Sequence, residues 1–335
     1  MYPRRFLAGQ LPARQLHARC VLRLCVATLL AAVLSACSSG PPRIAVIPRA
    51  CGTALWEPEH AGAADAARVH GISLYWNAPT RANDVQRQIA LVERVSSEPY
   101  EGIVLAPDES LAFRTPVQRL LKKHMPLVVV GTELGIQPGD DFSYVLSDEA
   151  AAGQIAARRI GQLLHGQGEV AVLGMDPKLA NIMLRERSFE YALAAEFPRI
   201  HVVARRMGQT DVSQEQETAE ELLRSKSSPD AIVALSAEST RGAYYALVEF
   251  HKASAIKLVG FDQDLLPPLR TGDLDSVIVE NTYEMGHLAI EEIQDRVKGE
   301  PVAARTVVSP KLVTRDNMDT PEIQKIFSAR WWNEQ

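Results

Sequence analysis

The side chains able to make or break bonds are few, and their spacing restricts what they can do. Four cysteines occur, Cys20, Cys25, Cys37 and Cys51. Cys37 closes the tetrapeptide Leu34-Ser35-Ala36-Cys37, in which small residues suit a signal peptidase and the thiol can receive a diacylglycerol, so Cys37 is the expected lipidation site. Cys51 has no neighbouring histidine or cysteine to share a metal and no evident base to activate its thiol. The eight histidines form no paired metal motif; no Gly-x-Gly-x-x-Gly follows a strand, and neither a Gly-x-x-x-x-Gly-Lys-Ser/Thr loop nor a Gly-x-Ser-x-Gly elbow occurs. No catalytic residue, cofactor or metal ion is therefore expected, and the chemistry left to the chain is non-covalent recognition.

The elements that must position such recognition start after an export segment. Residues 1–36 hold five arginines and no acid and end in a thirteen-residue apolar run, 24–36, the order of a signal peptide. A helical membrane span needs ~20 apolar residues, so that run is too short for one. Residues 37–42 read as the lipidated cysteine and a tether. Several acyl chains at Cys37 would hold the protein to a membrane. Loss of residues 1–36 removes five of 36 basic residues and none of 41 acidic ones, leaving 31 against 41 and a net charge of −10. Such a surface argues against a nucleic-acid partner. It leaves Cys51 without an intrachain disulfide partner, so stability must come from an apolar core.

From residue 43 onward, short β-branched runs alternate with helical stretches, which predicts βαβ units and parallel sheets covered on both faces, an α/β fold. Strands are expected at 43–48, 72–77, 102–106, 126–131, 169–174, 201–205, 231–235, 257–261 and 276–279. Nine exceed what one such sheet usually holds, which points to two lobes. Helical stripes include Val85, Ile89 and Val92; Val117, Leu120 and Leu121; and Ile155, Ala156, Ile160 and Leu163. His124, on the second stripe, reads as a core-edge or solvent-facing residue. The segment 142–148 is expected to make the first crossing between lobes, and 276–281 the return. A further β-rich stretch, 305–313, follows.

Several motifs in this order carry a resemblance: Ala45-Val-Ile-Pro48 with Trp56 and His60-Ala-Gly-Ala63, Trp76-Asn-Ala-Pro79, Gly102-Ile-Val-Leu-Ala-Pro107, Pro126-Leu-Val-Val-Val130, Val259-Gly-Phe-Asp262 and Glu280-Asn-Thr-Tyr-Glu-Met-Gly286. Together they resemble type I periplasmic sugar-binding proteins of the ribose-binding kind, which share a core with lac-repressor-type regulators. No DNA-reading helix-turn-helix segment precedes them here. The resemblance implies two Rossmann-like parallel-sheet lobes joined by a three-strand hinge. It places 43–146 with 280–317 in the first lobe, 147–279 in the second and 318–335 in a tail. It further implies a monomeric binding protein, not an enzyme, that closes on a hydroxyl-rich solute such as a monosaccharide or polyol; the tetrapeptide ending at Cys37 adds a lipid anchor in the periplasm. The partner is an ABC permease, or alternatively a membrane kinase or chemoreceptor to which the solute is presented without transport.

Recognition of a polyol calls for planar bidentate groups and an aromatic face. The resemblance assigns these roles to Trp56 as the stacking aromatic, Arg185 in Leu184-Arg-Glu-Arg-Ser188 as the second-lobe arginine and Asp262 as the strand-end carboxylate. Other expected ligand-binding positions depart from the family. Gly131-Thr132-Glu133 stands where an Asp is usual, Ser236 where Asn is usual, and Glu280 in place of the hinge Gln. Gln209-Thr210 takes the position of the second-lobe aromatic. Arg49, in the loop after the first strand, is the eighth ligand-binding residue expected, after Trp56, Arg185, Asp262, Glu280, Ser236, Thr132 and Glu133. A carboxylate buried at position 280 needs a partner such as Arg49, Arg185 or the ligand.

Overall fold

Runs that are apolar on both faces and only four or five residues long belong in parallel sheets covered by helices on both sides. The computed structural model describes residues 40–53, 55–81, 83–209, 211–225 and 229–327. The expected signal peptide, Cys37 and Thr210 lie outside them.

The first sheet contains β1 (Arg43–Ile47), β2 (Ser73–Trp76), β3 (Gly102–Leu105), β4 (Leu127–Val130), β5 (Phe142–Ser147) and β11 (Arg305–Val308), in the order β11-β5-β4-β3-β1-β2. All its pairs are parallel. Alternation within each strand divides the core: Ile44 and Val46 of β1 pack under α1 (Trp56–His70) and α9 (Thr282–Lys298), while Ala45 and Ile47 face α2 (Val85–Val95) and α3 (Arg114–Leu121).

The second sheet contains β6 (Gln167–Met175), β7 (Arg199–Met207), β8 (Ala231–Ala234), β9 (Lys257–Gly260), β10 (Ser276–Val279) and β12 (Lys311–Thr314), in the order β12-β10-β9-β8-β6-β7. Only β12 runs antiparallel to its neighbour. One face carries α4 (Glu149–Leu163) and α5 (Ala180–Glu196). The other carries α6 (Val212–Arg224), α7 (Ala237–Glu249), α8 (Leu266–Thr271) and α10 (Pro321–Ile326).

The chain passes between sheets three times, at 147–149, 279–282 and 308–311. Phe142–Ser147 is thus the last strand of the first sheet before the crossing, and Asp148 caps α4 by accepting from the Ala151 N–H at 2.9 Å. The expected β-rich stretch 305–313 is divided, β11 joining the first sheet and β12 the second. Residues 318–326, read as tail, supply Met318, Ile323 and Ile326 to the second-lobe core. His124 is exposed, in left-handed conformation, and bonds Asp141 at 2.9 Å.

The helix pair that covers the first sheet is held close by two glycines. A Cβ on Gly62 would lie 1.9 Å from the Tyr283 carbonyl oxygen, and one on Gly286 would lie 2.2 Å from that of Glu59. Gly62→Ala should force α1 from α9 and destabilise the protein by about 1–3 kcal/mol. Urea denaturation measures this, and an unchanged midpoint would refute the contact.

Candidate functional site

Loops that leave the carboxyl ends of the strands meet between the lobes, where open α/β sheets bind ligands. They enclose a cavity of about 350 Å³. Arg49 follows β1, Thr80 and Arg81 follow β2, Ser236 follows β8, Asp262 follows β9 and Glu280 follows β10. Six of the eight expected ligand-binding residues therefore share one cleft: Trp56, Arg49, Arg185, Ser236, Asp262 and Glu280.

Arg185 lies at the hinge end, almost wholly buried. Its guanidinium donates from Nε to Glu149 at 2.7 Å, from Nη1 to the Leu235 carbonyl at 2.6 Å and from Nη2 to Glu280 at 2.8 Å. It also stands 4.0 Å from the centroid of the Phe261 ring. Burial alone would lower its pKa, but the two carboxylates override that and hold it above the ordinary value. Glu149 experiences the reverse. Burial pushes its carboxyl up to about 7, Arg185 opposing and Glu280 adding to the rise.

Asp262 is 3% exposed and receives a bidentate Arg241, from Nε at 2.6 Å and Nη2 at 3.0 Å. It accepts the Asp264 N–H at 2.8 Å, and Asp264 in turn pairs with Arg241. Helix α8 has no side-chain cap, so Asp262 serves this turn and not a helix start. Arg241 is held above its usual pKa by its hydrogen bonds to Asp262, burial acting against them.

On the facing wall, Arg49 Nε bonds Asp108 at 3.1 Å. The buried Gln88 fixes that pair by donating to the carbonyls of Pro48 and Ala106, and by accepting the Asp108 N–H at 3.0 Å. Burial raises the pKa of Asp108, with Arg49 opposing. Trp56 opens α1, 8% exposed, and belongs to the first-lobe core as well as to the cavity wall.

Ser236 lines the cleft while serving as the N-cap of α7, its hydroxyl accepting from the Ser239 N–H at 3.1 Å in a capping box. Thr132 and Glu133, expected at the same cleft, are not among the residues that line it. Gly131, at φ 79°, turns the chain after β4; Thr132 is then buried against Ser110 at 3.3 Å, and Glu133 pairs with Arg305 at 2.6 Å. Asn281, beside Glu280, caps α9.

Arg241, Gln263 and Asn181 line the cleft without having been singled out in the sequence. Gln263, 6% exposed, directly follows the Val-Gly-Phe-Asp motif, which was the one available signal for it. Arg241 and Asn181 sit on helices whose local pattern does not set them apart. Among the described residues, no cluster of three or more His, Cys, Asp or Glu could hold a metal ion, and no helix is long and apolar enough to cross a membrane.

A family model described as "Periplasmic binding protein domain" matches residues 44–301. The ribose import binding protein of Haemophilus influenzae is 25% identical over 234 residues, 69% of this chain and 78% of that protein. The D-allose-binding periplasmic protein of Escherichia coli is 24% identical over 279 residues, 81% of this chain and 89% of that one. In fold, the chain is similar to an ABC transporter solute-binding protein of Agrobacterium vitis bound with alpha-D-tagatopyranose. The TM-score is 0.79 at 21% identity, covering 85% of this chain and 98% of the other. A carbohydrate transporter solute-binding protein of Agrobacterium radiobacter in complex with D-arabinose gives 0.78 at 23%, covering 87% and 100%.

Proposed function

The chain belongs to the periplasmic binding protein family, and from that premise we propose that it captures a hydroxyl-rich solute, a monosaccharide or related polyol, between its lobes and delivers it to an ABC permease. The observation that carries this reading is the pairing of Asp262 with Arg241 and of Glu280 with Arg185 along one cavity wall at strand ends. Fixed carboxylates of this kind accept from vicinal hydroxyls, and the facing Trp56 offers apolar surface to the C–H side of a sugar ring. The relatives named above are a ribose import binding protein and a D-allose-binding periplasmic protein, which supports the same solute class. Backbone rotation at the three crossings would open and close the cleft. The family places such a protein in the periplasm, and we assign lipid attachment through Cys37 as its anchor.

Thermal-shift and calorimetric screening of the purified protein against pentoses, hexoses and polyols tests the reading. A ligand should raise the melting temperature by mass action. Asp262→Asn keeps the shape but loses the charge-assisted acceptor, and is expected to weaken the best ligand roughly tenfold to a hundredfold. The unliganded melting temperature should move by only a few degrees. Affinity unchanged by this substitution would remove Asp262 from the site.

A further inference from the structure

Hydrogen-bonding capacity at the hinge end of the cleft does not balance. The carboxyls of Glu149 and Glu280 share a single guanidinium, that of Arg185, and Glu59 lies near enough to feel the charge of Glu280. Glu59 is fully buried on α1, and neither of its oxygens has a hydrogen-bond partner. Glu280 gives one oxygen to Arg185, and its side chain, 18% exposed, lines the cavity.

Gln263 adds an independent observation. Its Nε2 donates to the Glu280 backbone carbonyl at 2.8 Å, and because a carbonyl only accepts, the amide orientation is fixed with Oε1 away from that bond. That Oε1 is buried, has no partner, and belongs to a side chain that lines the same cavity. Oδ1 of Asn181, another lining residue, is equally without a partner. The second-lobe guanidinium groups, by contrast, are already engaged, Arg185 by Glu149 and Glu280 and Arg241 by Asp262 and Asp264. This wall therefore offers spare acceptors beside the Glu280 carboxylate, and its own guanidinium groups are already paired.

We propose that the solute carries a protonated amine beside its hydroxyls, an amino sugar or aminopolyol, with the ammonium seated between Glu280 and Oε1 of Gln263. This rests on solute capture in the interlobe cleft as proposed above. An ammonium has three donors and no acceptor, which suits such a wall; a phosphate or carboxylate seated at that spot would meet the Glu280 carboxylate. The raised carboxyls act in the same direction. Glu149 and Glu59 retain protons near neutral pH, and an incoming cation stabilises their ionised forms and expels part of that proton load.

Isothermal titration of the purified protein at pH 7 with glucosamine, galactosamine and mannosamine, each against its parent hexose and N-acetyl derivative, tests the inference, with ribose, arabinose and allose alongside. At least one amine is expected to bind tenfold or more tightly than its parent and its N-acetyl form. Titration in buffers of different ionisation enthalpy should show proton release for that amine beyond its parent's. In Glu280→Gln the ratio of amine to parent affinity should fall below about threefold. A neutral sugar that binds tightest, with its amine no better, overturns the inference and leaves sugar capture standing. Failure of every sugar and amino sugar in the series to bind overturns both.

Discussion

Arg185→Met is expected to lower the stability of the unliganded protein by about 3–5 kcal/mol, with a fall in melting temperature on the order of 10 °C. The guanidinium is almost wholly buried and holds two carboxylates and a backbone carbonyl at 2.6–2.8 Å. Methionine fills much of the volume but leaves Glu149, itself 4% exposed, without its counter-charge. The deprived carboxyl will take up a proton more readily, so the deficit should be smaller at pH 5 than at pH 8. Adding Glu149→Gln to Arg185→Met removes a stranded charge and should restore a large part of the loss, the signature of coupling in a double-mutant cycle. Calorimetric melts of the four proteins measure this. A single variant that melts within about 2 °C of the parent at pH 8 would show that Arg185 is not the keystone of the hinge end.

The second large effect concerns pH. Burial, with a smaller push from Glu280, raises the Glu59 carboxyl to about 8 from an ordinary value of 4.5. The folded protein thus holds a proton that the unfolded chain releases near pH 4.5. Stability from this source is complete below that pH and is lost as pH rises toward and through about 8. Glu149, raised to about 7, acts in the same direction. The carboxyls of Glu196 and Asp319 are held low, chiefly by hydrogen bonds from Arg158 and Arg270, and their influence is confined to more acid solution. Glu59→Gln keeps a neutral side chain at every pH. It should therefore match the parent at pH 5 and exceed it at pH 9, by on the order of 3–4 kcal/mol if the whole shift is expressed. Urea unfolding at pH 5, 7 and 9 gives the comparison. Parallel curves for parent and variant across that range would show that Glu59 carries no proton in the folded state.

A fully buried carboxyl with no partner is expensive to keep. On α1 it lies against the Gly286 turn of α9, where the protonated, neutral form is the cheaper one to bury. Arg49 with Asp108 is a one-to-one pair, whereas Arg241 meets Asp262 and Asp264 and Arg185 meets Glu149 and Glu280.

Much of the architecture was legible in the chain itself. Strands such as Ile103-Val104-Leu105 and Val128-Val129-Val130 are apolar on both faces, which only helices on both sides can cover, and their number already called for two sheets. Asp262 could be placed at a strand end from the Val-Gly-Phe-Asp motif, and Arg185 was placed in the second lobe through the family resemblance. Other features depend on partners that no local pattern specifies. Arg305–Val308 and Lys311–Thr314 are both short β-rich segments, yet they join different sheets because the free edges available to them lie beside β5 and β10. Glu133 has the composition of a cleft carboxylate, but an arginine 172 residues away takes it. Arg185 finds Glu149 and Glu280 at separations of 36 and 95 residues. Periodicity fixes which face of an element is buried, because that depends only on neighbours along the chain. Which charge meets which, and which oxygen is left over for a ligand, is decided when distant strand ends are brought to the same cleft.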